Sequence, residues 1–194
     1  MAGRPREFDP TEVLNRAMNA FFEKGYEGTS LSDLERVTGL GRQSLYGAFG
    51  DKRALFSRVV EHYFETQLKP AFIDLLDAPG SALGNIERLL ALMEQTALSP
   101  EFNGCLVGNS VAELGVVDAD TAALLARKLE LIEEALVRAL RRAQRDGEVQ
   151  KCLDPRVTAR SLLALTQGLA LMARVNRDRT FVRSVLQSAR QLIS

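Results

Sequence analysis

The sequence has few of the side chains that build metal sites and disulfide scaffolds. Its 194 residues include two cysteines, Cys105 and Cys152, and one histidine, His62. So small a number excludes a Cys/His metal cluster and a framework of several disulfides. The sequence also shows no Ser-His-acid set and no pair of carboxylates arranged for acid-base catalysis. We therefore expect no metal, no cofactor and no enzymatic activity.

Long hydrophobic runs are also absent. No apolar run reaches the ~18 residues that would cross a bilayer, and the first residues form no hydrophobic signal core. This pattern predicts a protein of the reducing cytoplasm, without a membrane partner.

The chain has no excess of charge of one sign. Its 25 Lys and Arg balance 25 Asp and Glu, and residues 1–58 carry nine basic against eight acidic side chains. Affinity for a nucleic acid would therefore depend on local charge placement and not on a global field. The apolar content of 46% is typical of a globular protein with a substantial core.

The stretch Thr29–Phe56 has the pattern of two short helices joined by a tight turn. Ser30 is a suitable N-cap for the first helix, with Asp33 three residues later, as in a capping box. The glycines of residues 39–41 break that helix, and the second helix is expected over residues 42–49. Two such helices around a glycine turn form a helix-turn-helix, whose second helix enters the major groove of DNA.

The second helix has one apolar side and one polar side. Leu45 and Phe49 are four residues apart and define the buried side, while Gln43 and Gly47 lie outward. Glutamine can pair bidentately with adenine, and an arginine near the helix start can reach guanine or phosphate. An ordinary helical hairpin with a solvated polar face is the alternative. The candidate DNA contacts on this helix are Arg42, Gln43, Ser44 and Tyr46.

The motifs T-S-L-S-D-L, G-L-G-R, S-L-Y-G-A-F and G-D-K-R-A-L-F together resemble the DNA-binding domain of the TetR family of bacterial transcriptional regulators. The resemblance runs without a gap from Gly3 to about Tyr63. Gly41 departs from the pattern, because many members carry a Ser or Thr there that caps the recognition helix. Gly47 stands where an aromatic or polar residue is common in the family. We expect it to reduce the number of direct contacts between side chains and bases.

The resemblance implies an all-α fold of two domains. A three-helix DNA-binding domain would occupy residues 1–50, and a helical bundle that binds an effector and dimerises would occupy residues 51–194. Periodicity and capping signals place the later helices at about 81–98, 103–115, 119–146, 155–176 and 178–193.

Further DNA contacts are implied by the family. Residues matching Thr29, Tyr46 and Lys52 bind phosphates, and an arm matching Arg4 and Arg6 enters the minor groove. Each has an alternative: a local cap for Thr29, half-buried packing for Tyr46, a solvated side chain for Lys52 and a disordered terminus for the arm.

The last two helices have the features of a dimer surface. Small residues on the first would allow close approach, and the second has its own apolar face, although both could instead form intramolecular core. A two-fold dimer places two recognition helices about one DNA turn, ~34 Å, apart, and so predicts a palindromic operator. The candidate interface residues are Ser161, Ala164, Gly168, Phe181, Val185, Leu186 and Ala189.

The segment 102–110 resembles a G-C-L-x-x-N pattern of one branch of the family, in which some members sense electrophiles or oxidants through the matching cysteine. Cys105 lies near a helix start, where a thiol pKa can fall. The alternative is a small buried residue that packs the helix. Periodicity adds other inward-facing residues to a candidate effector pocket of Phe64, Leu68, Met93, Phe102, Cys105, Asn109 and Gln167.

These features predict a dimeric DNA-binding regulator, a repressor that a small molecule or a thiol-reactive effector releases from its operator. A DNA-binding activator and, more remotely, a small helical enzyme are the alternatives. A purely structural protein would show no salt-dependent binding to DNA.

Overall fold

The computed structural model describes residues 8–114 and 119–194, so the predicted arm with Arg4 and Arg6 lies outside the described residues. The described part of the chain is helical and contains no strand, which confirms the expected all-α fold. The chain divides into two compact units, Met1–Tyr63 and Phe64–Ser194.

The described residues of the first unit form four helices. Asp9 caps the first of them, since its side chain accepts the N–H of Thr11, and a proline occupies the first helical position. That helix is kinked at Gly25, whose φ of +72° suits a glycine. The helices are α1 (Pro10–Gly28), α2 (Leu31–Thr38), α3 (Arg42–Phe49) and α4 (Lys52–Tyr63).

Aromatic side chains join α1 to α4. The rings of Phe21 and Phe56 meet edge to face with centroids 5.0 Å apart, and Phe22 meets Tyr63 in the same way at 5.4 Å. Such pairs add to the free energy gained by burying the rings themselves. Because of this packing, α4 belongs to the first unit, and the division between the units follows α4.

The start of α2 has the capping box that the sequence predicts. The side chain of Ser30 accepts the N–H of Asp33 at 3.1 Å, and the Asp33 carboxylate accepts the N–H of Ser30 at 3.0 Å. Lys24 and Arg36 also contact this carboxylate, at 2.5 and 3.1 Å. The hydrogen bond from Lys24, followed by those from Ser30 and Arg36, holds the pKa of Asp33 well below its usual range.

The start of α3 is capped by a neighbouring helix. Gly41, the N-cap residue, has no side chain to offer, and Glu35 of α2 accepts the N–H of Arg42 at 2.7 Å instead. This bond satisfies one of the amides that a helix start leaves open, and it fixes α3 against α2. The glutamate thus replaces the hydroxyl that many family members carry at the position of Gly41.

The second unit begins with a π-helix, Phe64–Asp74, which contains Pro70. Proline has no N–H to donate and its ring clashes with the preceding turn, so a regular α-helix is unfavourable there. The sequence predicts a bend or weakening at this proline, and the structure shows a wider helix. The following helices are α5 (Leu75–Asp77), α6 (Ala82–Ala97), α7 (Leu106–Leu114), α8 (Ala119–Arg145), α9 (Pro155–Met172) and α10 (Arg179–Gln191).

The long helix α8 is the centre of the second unit, where it packs against α6, α7, α9 and the π-helix. Ion pairs reinforce the outer helices: Arg183 contacts Glu94 at 2.7 Å and Arg190 contacts Glu87 at 2.9 Å, which ties α10 to α6. No helix in the described ranges is long and apolar enough to span a membrane.

The cap on α3 leads to a testable prediction. Glu35→Ala removes the acceptor for the N–H of Arg42, and we expect it to lower the free energy of unfolding by about 1 kcal/mol. Gly41→Ser should restore most of this loss, because Gly41 has the extended backbone of an N-cap and nothing lies within 4 Å of an added Cβ. Urea unfolding of the two single variants and the double variant measures both effects.

The control is Glu23→Ala, which removes an exposed carboxylate from α1. It should leave stability within a few tenths of a kcal/mol of the wild type. Equal stability of Glu35→Ala and Glu23→Ala would contradict the assignment of Glu35 as the cap.

Candidate functional site

The outward face of α3 is open to solvent. Leu45 is completely buried and Phe49 is 4% exposed, whereas Arg42, Gln43 and Ser44 are exposed. The predicted buried and outward sides of this helix are therefore confirmed. The guanidinium of Arg42 lies 5.5 Å from the centre of the half-buried Tyr46 ring, a cation-π contact that orients the arginine along the face.

Gly47 leaves the middle of this face without a side chain. Apart from its chain neighbours and the local backbone of α3, no atom of the described residues lies within 4 Å of the position that a Cβ would occupy there. A partner surface can therefore approach the α3 backbone more closely at this point than a larger residue would permit.

Lys52 is held by an aromatic side chain, Tyr26, which is not among the DNA contacts predicted from the sequence. Its Nζ lies 4.4 Å from the centre of the Tyr26 ring, and that ring packs edge to face on Phe56 at 4.9 Å. Asp51 caps α4 by accepting the N–H of Ala54 at 2.8 Å, so Lys52 stands at a helix N-terminus. Tyr26 lies far from Lys52 in sequence, and no local pattern connects the two.

Thr29 does not present its side chain to a partner. It is completely buried, and its hydroxyl donates to the Gly25 carbonyl at 2.6 Å. The interpretation of Thr29 as a local cap fits this geometry. A phosphate contact through its hydroxyl does not, because that group is enclosed and already bonded.

A second candidate site is a cavity of about 200 Å³ between α7, α8 and α9. Three of the residues predicted for the effector pocket line it, namely Cys105, Asn109 and Gln167. The other four lie outside its lining: Phe64 and Leu68 are buried in the core, and Met93 and Phe102 are half-buried elsewhere in the unit. Periodicity indicated that these side chains turn inward but not which space they face. The lining is Cys105, Gly108, Asn109, Val111, Leu129, Gln167, Gly168, Ala170 and Leu171.

One wall of the cavity carries an unused hydrogen-bond acceptor. Oε1 of Gln167 is buried and has no hydrogen-bond partner among the described residues. It approaches Gly108 so closely that a Cβ at that position would clash with it. Asn109, in contrast, donates to the Asn103 carbonyl at 3.1 Å, so its amide already fixes the loop before α7. Gln167 is thus the polar residue of the lining whose hydrogen bonding is incomplete.

Cys105 immediately precedes α7. Its carbonyl accepts the N–H of Asn109 at 2.8 Å, which makes it the residue at the helix start, and its side chain is 6% exposed. Cys152 is exposed in a loop, where its thiol donates to Gln150 at 3.3 Å. Neither cysteine is in a disulfide. The described residues contain no cluster of His, Cys, Asp and Glu that could hold a metal ion.

A stripe of apolar and small residues follows the exposed side of α9 and its C-terminal extension. We call the set Val157, Ser161, Ala164, Gly168, Leu171 and Val175 the α9 stripe. Its members recur every three or four residues, and Val157 and Val175 are 60% and 92% exposed. Exposed apolar residues aligned in this way are typical of an interaction surface.

The predicted dimer surface on α10 needs a correction. Leu186 and Ala189 are each 1% exposed within the single chain, because α10 packs against α6 and α9. They therefore offer no surface to a second subunit. Phe181 and Val185 are half-buried and remain available in part.

Sequence comparison identifies related proteins over nearly the whole chain. Residues 13–59 match the model of the family described as bacterial regulatory proteins, tetR family, and residues 85–189 match a tetracyclin repressor-like C-terminal domain. The chain is 36% identical over 178 residues to the HTH-type transcriptional regulator YezE of Bacillus subtilis, covering 91% of each protein. It is 30% identical to the HTH-type transcriptional repressor ComR of Escherichia coli, covering 89% of this chain and 82% of ComR.

Solved structures show the same relation. A cysteine mutant of the TetR family transcriptional regulator CifR, in complex with 26 bp double-strand operator DNA, superposes with a TM-score of 0.86 at 28% identity. The match covers 99% of this chain and 100% of the CifR chain. Two matching family models, full-length relatives and this likeness agree with the helix-turn-helix described above. The chain therefore belongs to the TetR family, and it is a DNA-binding transcriptional regulator and not an enzyme.

Proposed function

We propose that this protein is a cytoplasmic homodimeric repressor, which binds a palindromic operator and is released by an effector at the Cys105 cavity. The observation that carries the proposal is the solvent-exposed face of α3. Arg42 and Gln43 are exposed on this helix, and Gly47 has no side chain that would hold a partner away from the backbone. Similarity to ComR, named as a repressor, and to CifR, solved with operator DNA, supports this interpretation.

On DNA, the residues divide into two roles. Gln43 and Arg42 extend toward the floor of the major groove and supply base contacts, with Ser44 beside them. Tyr46 and Lys52 are partly buried at the edge of the face and supply phosphate contacts. Arg4 and Arg6, outside the described residues, would add minor-groove contacts. Only four of the proposed contact residues are basic, namely Arg4, Arg6, Arg42 and Lys52. The base contacts therefore carry a large share of the affinity for the operator.

The dimer is proposed to form through the α9 stripe. Small residues at Ser161, Ala164 and Gly168 let two copies of α9 approach closely, and exposed valines at both ends supply apolar area to bury. An interface of this kind is self-complementary, as a two-fold axis requires. The half-buried Phe181 and Val185 of α10 extend it.

Effector binding is proposed at the cavity beside Cys105. The cavity is small, and Gln167 supplies an acceptor without a partner, so a compact ligand with a hydrogen-bond donor fits it. A thiol-reactive effector would instead modify Cys105, adding volume at a side chain that is 6% exposed. Either event favours a conformation of the second unit with lower operator affinity. The π-helix connects the second unit directly to α4, and irregular helices of this type are common at functional sites.

The DNA contact of Gln43 is tested by operator selection from random duplex DNA with purified protein. We expect a palindrome, and Gln43→Ala should lose about 1–3 kcal/mol of discrimination at one symmetric pair of base positions. Gln95→Ala, an identical change at an exposed position of α6, is the matched control and should retain the wild-type preference. Failure to enrich any sequence, with weak binding even at low salt, would refute operator recognition.

The dimer surface is tested with Ala164→Arg. A charge in the middle of the α9 stripe should convert the dimer to a monomer, because an arginine cannot be buried there without a partner. Sedimentation velocity measures the mass in solution. Ala126→Arg, at an exposed alanine of α8, is the control and should stay dimeric. If Ala164→Arg keeps the dimer mass of the wild type, the interface lies elsewhere on the protein.

The thiol response is tested with a maleimide or hypochlorite added to the protein-operator complex. Wild type and Cys152→Ser should release DNA, whereas Cys105→Ser should stay bound, because Cys105 lines the cavity and Cys152 does not. Fluorescence anisotropy of labelled operator measures release, and mass spectrometry identifies the modified thiol. Release that depends on Cys152, or modification of Cys105 without release, would exclude thiol sensing at the cavity.

A further inference from the structure

Four arginines of α8 line a separate cavity at the C-terminal part of that helix. The cavity has a volume of about 360 Å³ and shares no lining residue with the effector cavity. The arginines follow the helical spacing i, i+3, i+4, i+7, so they project from one face of α8. The lining is Asp77, Arg138, Arg141, Arg142 and Arg145, and we call it the arginine cavity.

A single carboxylate lies on the wall of the arginine cavity. Asp77 accepts two hydrogen bonds from Arg138, at 2.7 Å from Nη2 and 3.3 Å from Nε. Two further carboxylates are near enough to attract the arginines electrostatically, Glu148 to Arg142 and Asp154 to Arg141. Glu148 also accepts the N–H of Leu83, and Asp154 caps α9. Neither of these two carboxylates lines the cavity, so its described lining holds four arginines and one aspartate.

Arg142 is positioned rigidly and is only partly satisfied. Its Nη2 donates to the carbonyls of Leu76 and Ala78, at 3.2 and 2.9 Å, which fixes the guanidinium plane. Its Nε is buried and has no hydrogen-bond partner among the described residues. A buried donor without an acceptor destabilises a folded protein, and native structures rarely retain one without a reason.

Arg141 and Arg145 are exposed and make no hydrogen bond or close ion pair within the described ranges, and Asp154 attracts Arg141 electrostatically. Cations in the last turn of a helix also interact favourably with its dipole, and this accounts for Arg142 and Arg145. It does not account for Arg138 and Arg141, which lie further from the helix end, or for the unsatisfied Nε.

We propose that the arginine cavity binds a phosphate group, either as the free ion or as part of a small phosphorylated metabolite. Guanidinium groups match phosphate oxygens with paired hydrogen bonds. One guanidinium group is enough to pair with a carboxylate, as Arg138 does with Asp77. A phosphate dianion can accept hydrogen bonds from several arginines at once. The volume has room for an organic substituent. This site is independent of the effector cavity and of the proposed operator contacts.

The test is isothermal titration calorimetry of the purified full-length protein with inorganic phosphate and with phenyl phosphate at constant ionic strength. We expect saturable binding that weakens at least about tenfold in the double variant Arg141→Gln/Arg145→Gln, since each loses charge-assisted hydrogen bonds. Both side chains are exposed, so the fold should be retained, and operator binding verifies this. Arg127→Gln, which removes an exposed arginine from the same helix, should bind within about twofold of the wild type.

The two probes separate the two sources of phosphate. Tighter binding of phenyl phosphate indicates a phosphorylated metabolite, and tighter binding of inorganic phosphate indicates the free ion. No saturable binding by the wild type overturns the proposal. An equal increase of the melting temperature of the wild type and the double variant on addition of phosphate also overturns the proposal, because a general salt effect stabilises both proteins alike. If only affinity for non-operator DNA falls in the double variant, the arginines serve DNA and the proposal is wrong.

Discussion

The edge-to-face contact between Phe21 and Phe56 is the interaction on which the DNA-binding face depends. The recognition helix has eight residues and buries only Leu45 and Phe49, and a helix so short does not form alone in water. It is stabilised by packing against α2 and α4, and α4 in turn packs on α1 through this aromatic pair. Phe56 also supports Tyr26, and so the same aromatic packing determines the position of the Lys52 cation. Fold stability and DNA recognition in this unit therefore share one core.

Local signals in the sequence were sufficient to predict the elements of this unit. Ser30 with Asp33 predicted a capping box, and the leucine and phenylalanine of α3 predicted its buried side, because both patterns depend on residues within one turn of each other. Interactions between elements could not be predicted in this way. The cap that Glu35 provides for α3 joins two helices across the turn, and the enclosure of Thr29 depends on how α1 ends. Both require tertiary positions that no single-helix pattern contains.

The second unit shows a different limit of sequence reasoning. The predicted ranges 155–176 and 178–193 begin within one residue of α9 and α10, at starts that Asp154 and Asp178 cap in the structure. The apolar face of each helix was also evident from the sequence. In a helical bundle, however, an apolar face can pack in the core, line a pocket or contact a second subunit. Leu186 and Phe64 were assigned to an interface and a pocket, and both fill the core of the chain. Hydrophobic periodicity identifies which side is covered. It does not identify the surface that covers it.

Helix α9 makes the proposed effector cavity and the proposed dimer surface physically inseparable. Gly168 and Leu171 line the cavity and also belong to the α9 stripe. A ligand that displaces Leu171 changes the surface offered to a second subunit, and a subunit that covers Leu171 restricts the cavity. Thermodynamic linkage requires these effects to be reciprocal: an effector that weakens the dimer must bind more weakly to the dimer than to the monomer. In the proposed dimer, a palindromic operator requires two correctly spaced recognition helices, so a rearrangement at α9 would provide a route from ligand binding to DNA release.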